Sequence, residues 1–200
     1  MDNHMHQRWI VAATGASGVR YTLALLKVLP SLIDEVHVVF SDAALRVLKD
    51  EEGITLRGGT ICAKDVCDEG ISNVYFYSPK DIGAKIASGT MITNGMVIIP
   101  CSMGTLGAIA NGISHNLVHR AADVTMKEKR KLIVVPRESP LSAIHLRNLL
   151  RLSELGVSIV PAMPGFYHAP TTIDDLVNHF IMKVLDAMGI HTDLAPRWKG

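Results

Sequence analysis

Cysteine is scarce. The 200-residue chain has three, Cys62, Cys67 and Cys101. An odd count gives no closed disulfide framework, and Cys62 and Cys67 have no second pair to complete zinc spacing. Such usage suits a reducing compartment, and a cytoplasmic protein is expected. Aromatic residues make up only 5% and the formal net charge is +1. A nucleic-acid binder would show a basic excess or aromatic platforms for bases, so that class is set aside. Long apolar runs are missing too. Residues 9–13 and 96–100 fall far short of the roughly 20 apolar residues of a membrane span. Residues 1–7 are polar, with no signal core, and read as a leader before one domain, 8–200. His4 and His6 lie in that leader at a spacing that would suit a metal. A frayed terminus is the plainer expectation, and no metal is expected.

What is present is a globular composition, 48% apolar and 20% charged, at a length that suits one domain. Short β-branched runs at 9–13, 35–40, 73–77, 96–99, 131–135 and 156–160 alternate with helical patterns. Near-continuous apolar runs of this length suit strands buried on both faces. The expected fold is therefore α/β: a Rossmann-like open parallel sheet with helices on both faces, in a single domain. The clearest helix lies near the end, where Ile173, Leu176, Val177, Phe180, Ile181, Val184, Leu185 and Met188 keep the i, i+3, i+4 rhythm. Thr172 is its expected cap and Gly189 its stop. Residues 50–70, rich in glycine and charge, read as irregular.

In such sheets ligands bind beyond the carboxyl ends of the strands. The first strand runs into Thr14-Gly15-Ala16-Ser17-Gly18. Glycines between a strand and a helix let backbone N–H groups approach an anion. The full dinucleotide fingerprint is absent, because GxGxxG needs another glycine. The second strand ends in Ser41-Asp42, and the fourth in Cys101-Ser102-Met103-Gly104-Thr105. Two turns of small and hydroxyl residues suit a flat cofactor with one phosphate. Cys101 reads as a buried packing thiol rather than a nucleophile. Arg120 and Lys127 share one helix face. Arg137 and Glu138 follow the fifth strand, at the same edge of the sheet as the glycine turns. The sixth strand leads into a proline-stiffened loop presenting Phe166, Tyr167 and His168, while Lys183 flanks the last helix's apolar stripe.

Taken together, Gly15-Ala16-Ser17-Gly18, Ala87-Ser88-Gly89-Thr90, Pro100-Cys101-Ser102, Arg120-Ala121-Ala122-Asp123, Lys127-Glu128, Pro136-Arg137-Glu138, the segment 164–168 and Arg197-Trp198 resemble the UbiX-type flavin prenyltransferases. The resemblance spans residues 9–198. It implies a metal-independent prenyltransferase that joins a dimethylallyl group, from dimethylallyl phosphate, to reduced FMN. The prenylated FMN would then serve a UbiD-type decarboxylase, and the subunit would assemble into a homo-dodecamer. By position, the resemblance assigns Gly15, Ala16, Ser17, Ser41, Ser102, Met103, Gly104, Thr105 and Arg137 to FMN. It assigns Tyr167, Lys183, Arg120 and Lys127 to the donor, and Ser17, Glu51 and Glu138 to catalysis. Some members carry tryptophan where Ile82 stands here, so an aliphatic wall replaces a π face at that place. The competing readings are an FMN-dependent decarboxylase, acting on an aromatic acid or a cysteinyl peptide, and a non-catalytic FMN carrier or assembly partner.

Overall fold

The computed structural model describes residues 6–56, 61–67 and 70–198. Six parallel strands form one sheet in the order β3-β2-β1-β4-β5-β6. They are β1 (Arg8–Ala13), β2 (Glu35–Phe40), β3 (Val74–Tyr77), β4 (Gly95–Cys101), β5 (Lys131–Pro136) and β6 (Ser158–Ile159). The helices between them are α1 (Val19–Val28), α2 (Asp42–Glu52), α3 (Ala63–Val66), α4 (Met103–Ala110), α5 (Leu117–Lys127), α6 (Ala143–Glu154) and α7 (Ile173–Met188). The α/β expectation holds.

The apolar runs are continuous because both faces of the sheet are covered. Trp9, Val11, Ala13, Val36, Val38, Ile133 and Val135 pack on one side with α1 and α7 residues such as Leu25, Leu26, Phe180 and Ile181. Ile10, Ala12, Met96, Ile98, Leu132 and Val134 pack on the other with Leu106, Leu117, Val118, Ala121 and Ala122 of α4 and α5. Alternate residues of a strand point to opposite faces, so one run feeds two cores. Gly95 is needed where β4 begins: a Cβ there would lie 2.4 Å from the Lys131 carbonyl oxygen and 2.7 Å from the Trp9 ring.

Two expected boundaries move. α2 continues through Glu52, so residues 50–52 are helical, and Glu51 sits in that helix's last turn rather than beyond it. β6 shrinks to two residues, because only β5 pairs with it. His6, expected in a frayed leader, contacts the Glu35 carboxylate at 2.8 Å. His4 lies outside the described residues.

Candidate active site

The strand order reverses between β1 and β4, and the loops leaving these two strands part company there. Such a switch point is where an open α/β sheet leaves a crevice. Thr14 ties the two loops together. Its N–H and Oγ1 both donate to the Pro100 carbonyl, at 3.1 and 2.9 Å, and Oγ1 accepts the Ser102 N–H at 2.8 Å. A buried threonine thus fixes the glycine turn and the Ser102 turn as one unit.

The helices that follow β1, β2 and β4 begin at this edge, and their N-termini differ in charge. At α1, the Gly18 and Val19 N–H groups donate to the Glu51 carboxylate at 2.9 and 3.2 Å, so the protein's own anion occupies that terminus. Gly18 enters the helix with a φ of 103°, a conformation glycine reaches without the Cβ penalty of other residues. At α2, the Ser41 hydroxyl accepts the Ala44 N–H at 3.1 Å, and Asp42 puts a carboxylate in the first turn. At α4, the Ser102 hydroxyl accepts the Thr105 N–H at 3.3 Å, and the first turn carries no acid. Space is open at Gly104. Among these three, the α4 terminus has the least competing negative charge, and an anion gains most there. Gly15 lets α2 approach β1: its Cβ would lie 2.5 Å from that of Ala43.

Arg137, just beyond β5, reaches across the crevice and donates from Nε to the Ser17 carbonyl at 3.3 Å. Gly15, Ala16, Ser17, Ser41, Ser102, Met103, Gly104, Thr105, Arg137 and Glu51 thus share the carboxyl edge of the sheet. Glu138 follows Arg137, exposed, with Oε1 accepting the Ser139 N–H at 3.0 Å. Cys101 is fully buried, and burial pushes its thiol up to about 12, which bears out a packing role.

Arg120 and Lys127 share a face of α5, but that helix runs back along the sheet and ends where β5 begins. Lys127 is consequently separated from Arg137 by the length of β5, about 20 Å at the usual rise of a strand. There Lys127 pairs with Glu128, and the ammonium holds that carboxyl below its ordinary range. Gly89 packs against the same pair, and Arg130 donates to the Gly89 and Met91 carbonyls. Arg120 pairs with Asp123 at 3.2 Å. Within one chain, Lys127 and Arg137 therefore lie at opposite ends of the sheet.

A third cluster forms against α7. The Tyr167 hydroxyl lies 2.8 Å from Nε2 of His179. Its ring meets His179, His168 and Trp198 edge-on at 5.1, 5.9 and 6.0 Å. Trp198 is held there because Arg197 grips Asp186 with two bonds of 2.8 and 2.9 Å and adds a third to the Thr192 carbonyl. Lys183 lies one turn beyond His179 and is exposed, as its place on the stripe's flank requires. His179 and Asp186 were not singled out from the sequence. The available signal was spacing: His179 stands four before Lys183, hence on the same face.

Doubly wound topology, a switch-point crevice and, at that crevice, a helix N-terminus with no acid in its first turn define a nucleotide-type cofactor binder, and the Flavoprotein family profile matches residues 1–185. The chain is 47% identical over 195 residues to the flavin prenyltransferase LpdB of Lactiplantibacillus plantarum, covering 97% of this chain and 99% of that one. A solved dodecameric FMN-dependent UbiX-like decarboxylase from Escherichia coli O157:H7 superposes with a TM-score of 0.86 at 44% identity, over 97% of this chain and all of that one. A structure of AnUbiX (PadA1) in complex with FMN and dimethylallyl pyrophosphate gives 0.87 at 36% identity, over 98% of both. The peptidyl-cysteine decarboxylase EpiD, at 21% identity and a TM-score of 0.58, shares the fold alone. The chain belongs to the UbiX-type flavin prenyltransferases.

Proposed function

We propose that this protein transfers a dimethylallyl group from dimethylallyl phosphate to reduced FMN. The observation that carries the reading is full-length likeness to a structure holding FMN and dimethylallyl pyrophosphate. Reduced FMN supplies the nucleophilic ring atoms when bound. Its ring would lie along the Gly15-Ala16-Ser17 turn and its phosphate on the α4 N-terminus, held by Ser102, Met103, Gly104 and Thr105. Ser41 and Arg137 would close the site. The charge pattern supports this placement, because Glu51 and Asp42 disfavour a phosphate at α1 or α2.

The donor's C–O bond breaks and its phosphate leaves with the electron pair. Arg120, Lys127, Tyr167 and Lys183 are the groups we assign to that phosphate, because fixed cations and donors are worth most where charge develops. Glu138 would give a proton to the departing phosphate. Ser17 and Glu51 would take up the proton displaced from the acceptor, and the Glu51 carboxylate is already held beside Ser17 through the Gly18 N–H. Exposed Ile82 would line the allyl group as an aliphatic wall that excludes water.

The separation of Lys127 from Arg137 supports a site completed between copies, with Lys127 of one chain serving the switch point of another. We infer a homo-dodecamer like the Escherichia coli relative. Ile144 and Leu150 of α6 are 66% and 60% exposed in the lone chain, which suits burial in such an assembly. Among the described residues no helix is long and apolar enough to cross a membrane. No cluster of metal-binding side chains occurs among them either. We place the enzyme in the cytoplasm, supplying a UbiD-type decarboxylase. Anaerobic incubation with reduced FMN and dimethylallyl phosphate, then mass spectrometry of the released flavin, should show a gain of one five-carbon unit. An unchanged flavin mass would overturn the proposal. Carbon dioxide release from an aromatic acid by the isolated protein would point instead to direct decarboxylation.

A further inference from the structure

We propose that His179 is a positioning residue for the prenyl donor: it holds the Tyr167 hydroxyl so that the phenolic proton is free for the donor's phosphate. The inference rests on the assignment of Tyr167 to that phosphate and adds a residue to which no role has been given.

Tyr167 is 56% exposed, on a loop with no strand or helix to hold it. Yet its ring is seated. A Cβ at Gly165 would come within 2.8 Å of the Tyr167 ring and 3.5 Å of Cε1 of His179. The bare glycine backbone is therefore the floor on which the tyrosine lies. At the far end of the ring, the hydroxyl meets Nε2 of His179 at 2.8 Å, the distance of a full hydrogen bond. His179 cannot swing away. It is 3% exposed, belongs to α7, and stacks on His168 with ring centroids 4.2 Å apart.

The direction of that bond matters. A phenol has one proton and two acceptor lone pairs. If Nε2–H of His179 donates, the tyrosine oxygen accepts and its own O–H remains for a phosphate oxygen. The surroundings favour the neutral imidazole: burial lowers the pKa of His179, and the charges of His168 and Lys183 act in the same sense. A neutral imidazole with its proton on Nε2 gives the hydroxyl a donor without adding a further cation beside Lys183. Tyr167 and Lys183 are then fixed to the same helix, four residues apart at their anchor points, and meet one anion together.

The test is steady-state kinetics on the assembled enzyme, with dimethylallyl phosphate varied at saturating reduced FMN. His179→Phe keeps the ring and the stack but removes the bond. It should raise the donor KM about three- to tenfold, the size of one neutral hydrogen bond, with kcat and FMN affinity unchanged. His179→Gln, whose amide N–H can donate, should restore most of the loss. Tyr167→Phe should raise KM similarly, and His179→Phe should add nothing in that background. An unchanged KM in His179→Phe overturns the proposal, as does a full additional loss on top of Tyr167→Phe. If Tyr167→Phe itself leaves KM unaltered, the assignment of Tyr167 to the donor fails first, and the role of His179 with it. Should His179→Phe not fold, Gly165→Ala displaces the tyrosine from the same seat and must raise KM alike; an unaltered KM there also overturns it.

Discussion

Glu138 and Glu51 show how differently two carboxylates of one site are held. Glu51 is fixed by two backbone N–H groups at the head of α1. Glu138 accepts its neighbour's N–H and stands exposed beside Arg137. A carboxyl with few fixed partners is free to exchange a proton with a leaving group, while one that caps a helix has its orientation imposed. Replacing Glu138 with Gln should therefore slow turnover by two orders of magnitude or so, the usual range for a lost general acid, and leave FMN affinity intact. Loss of FMN on titration of the variant would show that Glu138 holds the flavin instead. Residue identity alone could not have separated Glu51 from Glu52, adjacent acids in one helix. Resemblance singled out Glu51, and the geometry gives a reason: Glu51 turns to the Gly18 N–H, whereas Glu52 pairs with Arg20 at 3.0 Å.

Periodicity made the elements legible wherever packing follows one rule. α7 begins after Thr172 and ends before Gly189, as its apolar rhythm and end residues indicate. β6 was legible only in part, because an apolar run does not reveal how many of its residues find a partner. The 50–52 stretch was misread because Lys49-Asp50-Glu51-Glu52 looks like a solvated loop, although two of its acids are tethered to α1. The start of α7 bears on the site, since that helix carries both His179 and Lys183. Its cap is reciprocal: the Thr172 hydroxyl accepts the Asp175 N–H at 3.1 Å, while Asp175 accepts the Thr171 and Thr172 N–H groups. Those backbone bonds hold the Asp175 carboxyl at about 2. Thr172→Ala removes one half of the box and should cost about 1 kcal/mol of stability. Thermal denaturation would register this as a lower Tm; an unchanged Tm would mean that packing of α7 alone sets its start.

At the scale of the whole molecule, buried imidazoles are the first groups to weaken the fold as pH falls. Burial lowers the pKa of His37, opposed by Glu35, and lowers that of His119, with His115 adding to the effect; His179 is lowered likewise. A depressed folded value means that the unfolded chain binds these protons more readily. Their contribution is complete above the unfolded imidazole value of about 6.5 and is lost progressively as pH falls below it. Tm should be level above about pH 7 and decline from there toward pH 5; a rise over that interval would contradict the assignment. Assembly supplies the sharper test, because it asks whether the separation along β5 is real in the working enzyme. If Arg137 of one copy, at the flavin, and Lys127 of another, at the donor, complete one active site, two defective chains can repair each other. Arg137→Ala and Lys127→Ala homo-oligomers should each be nearly inactive. Random co-assembly of the two would give about a quarter of the sites both intact residues, since each residue comes independently from a different chain. Activity of co-expressed, doubly tagged oligomers near that fraction of wild type is the expected outcome. A site built within one chain would leave every active centre of the mixture with one residue missing, and co-assembly would restore nothing.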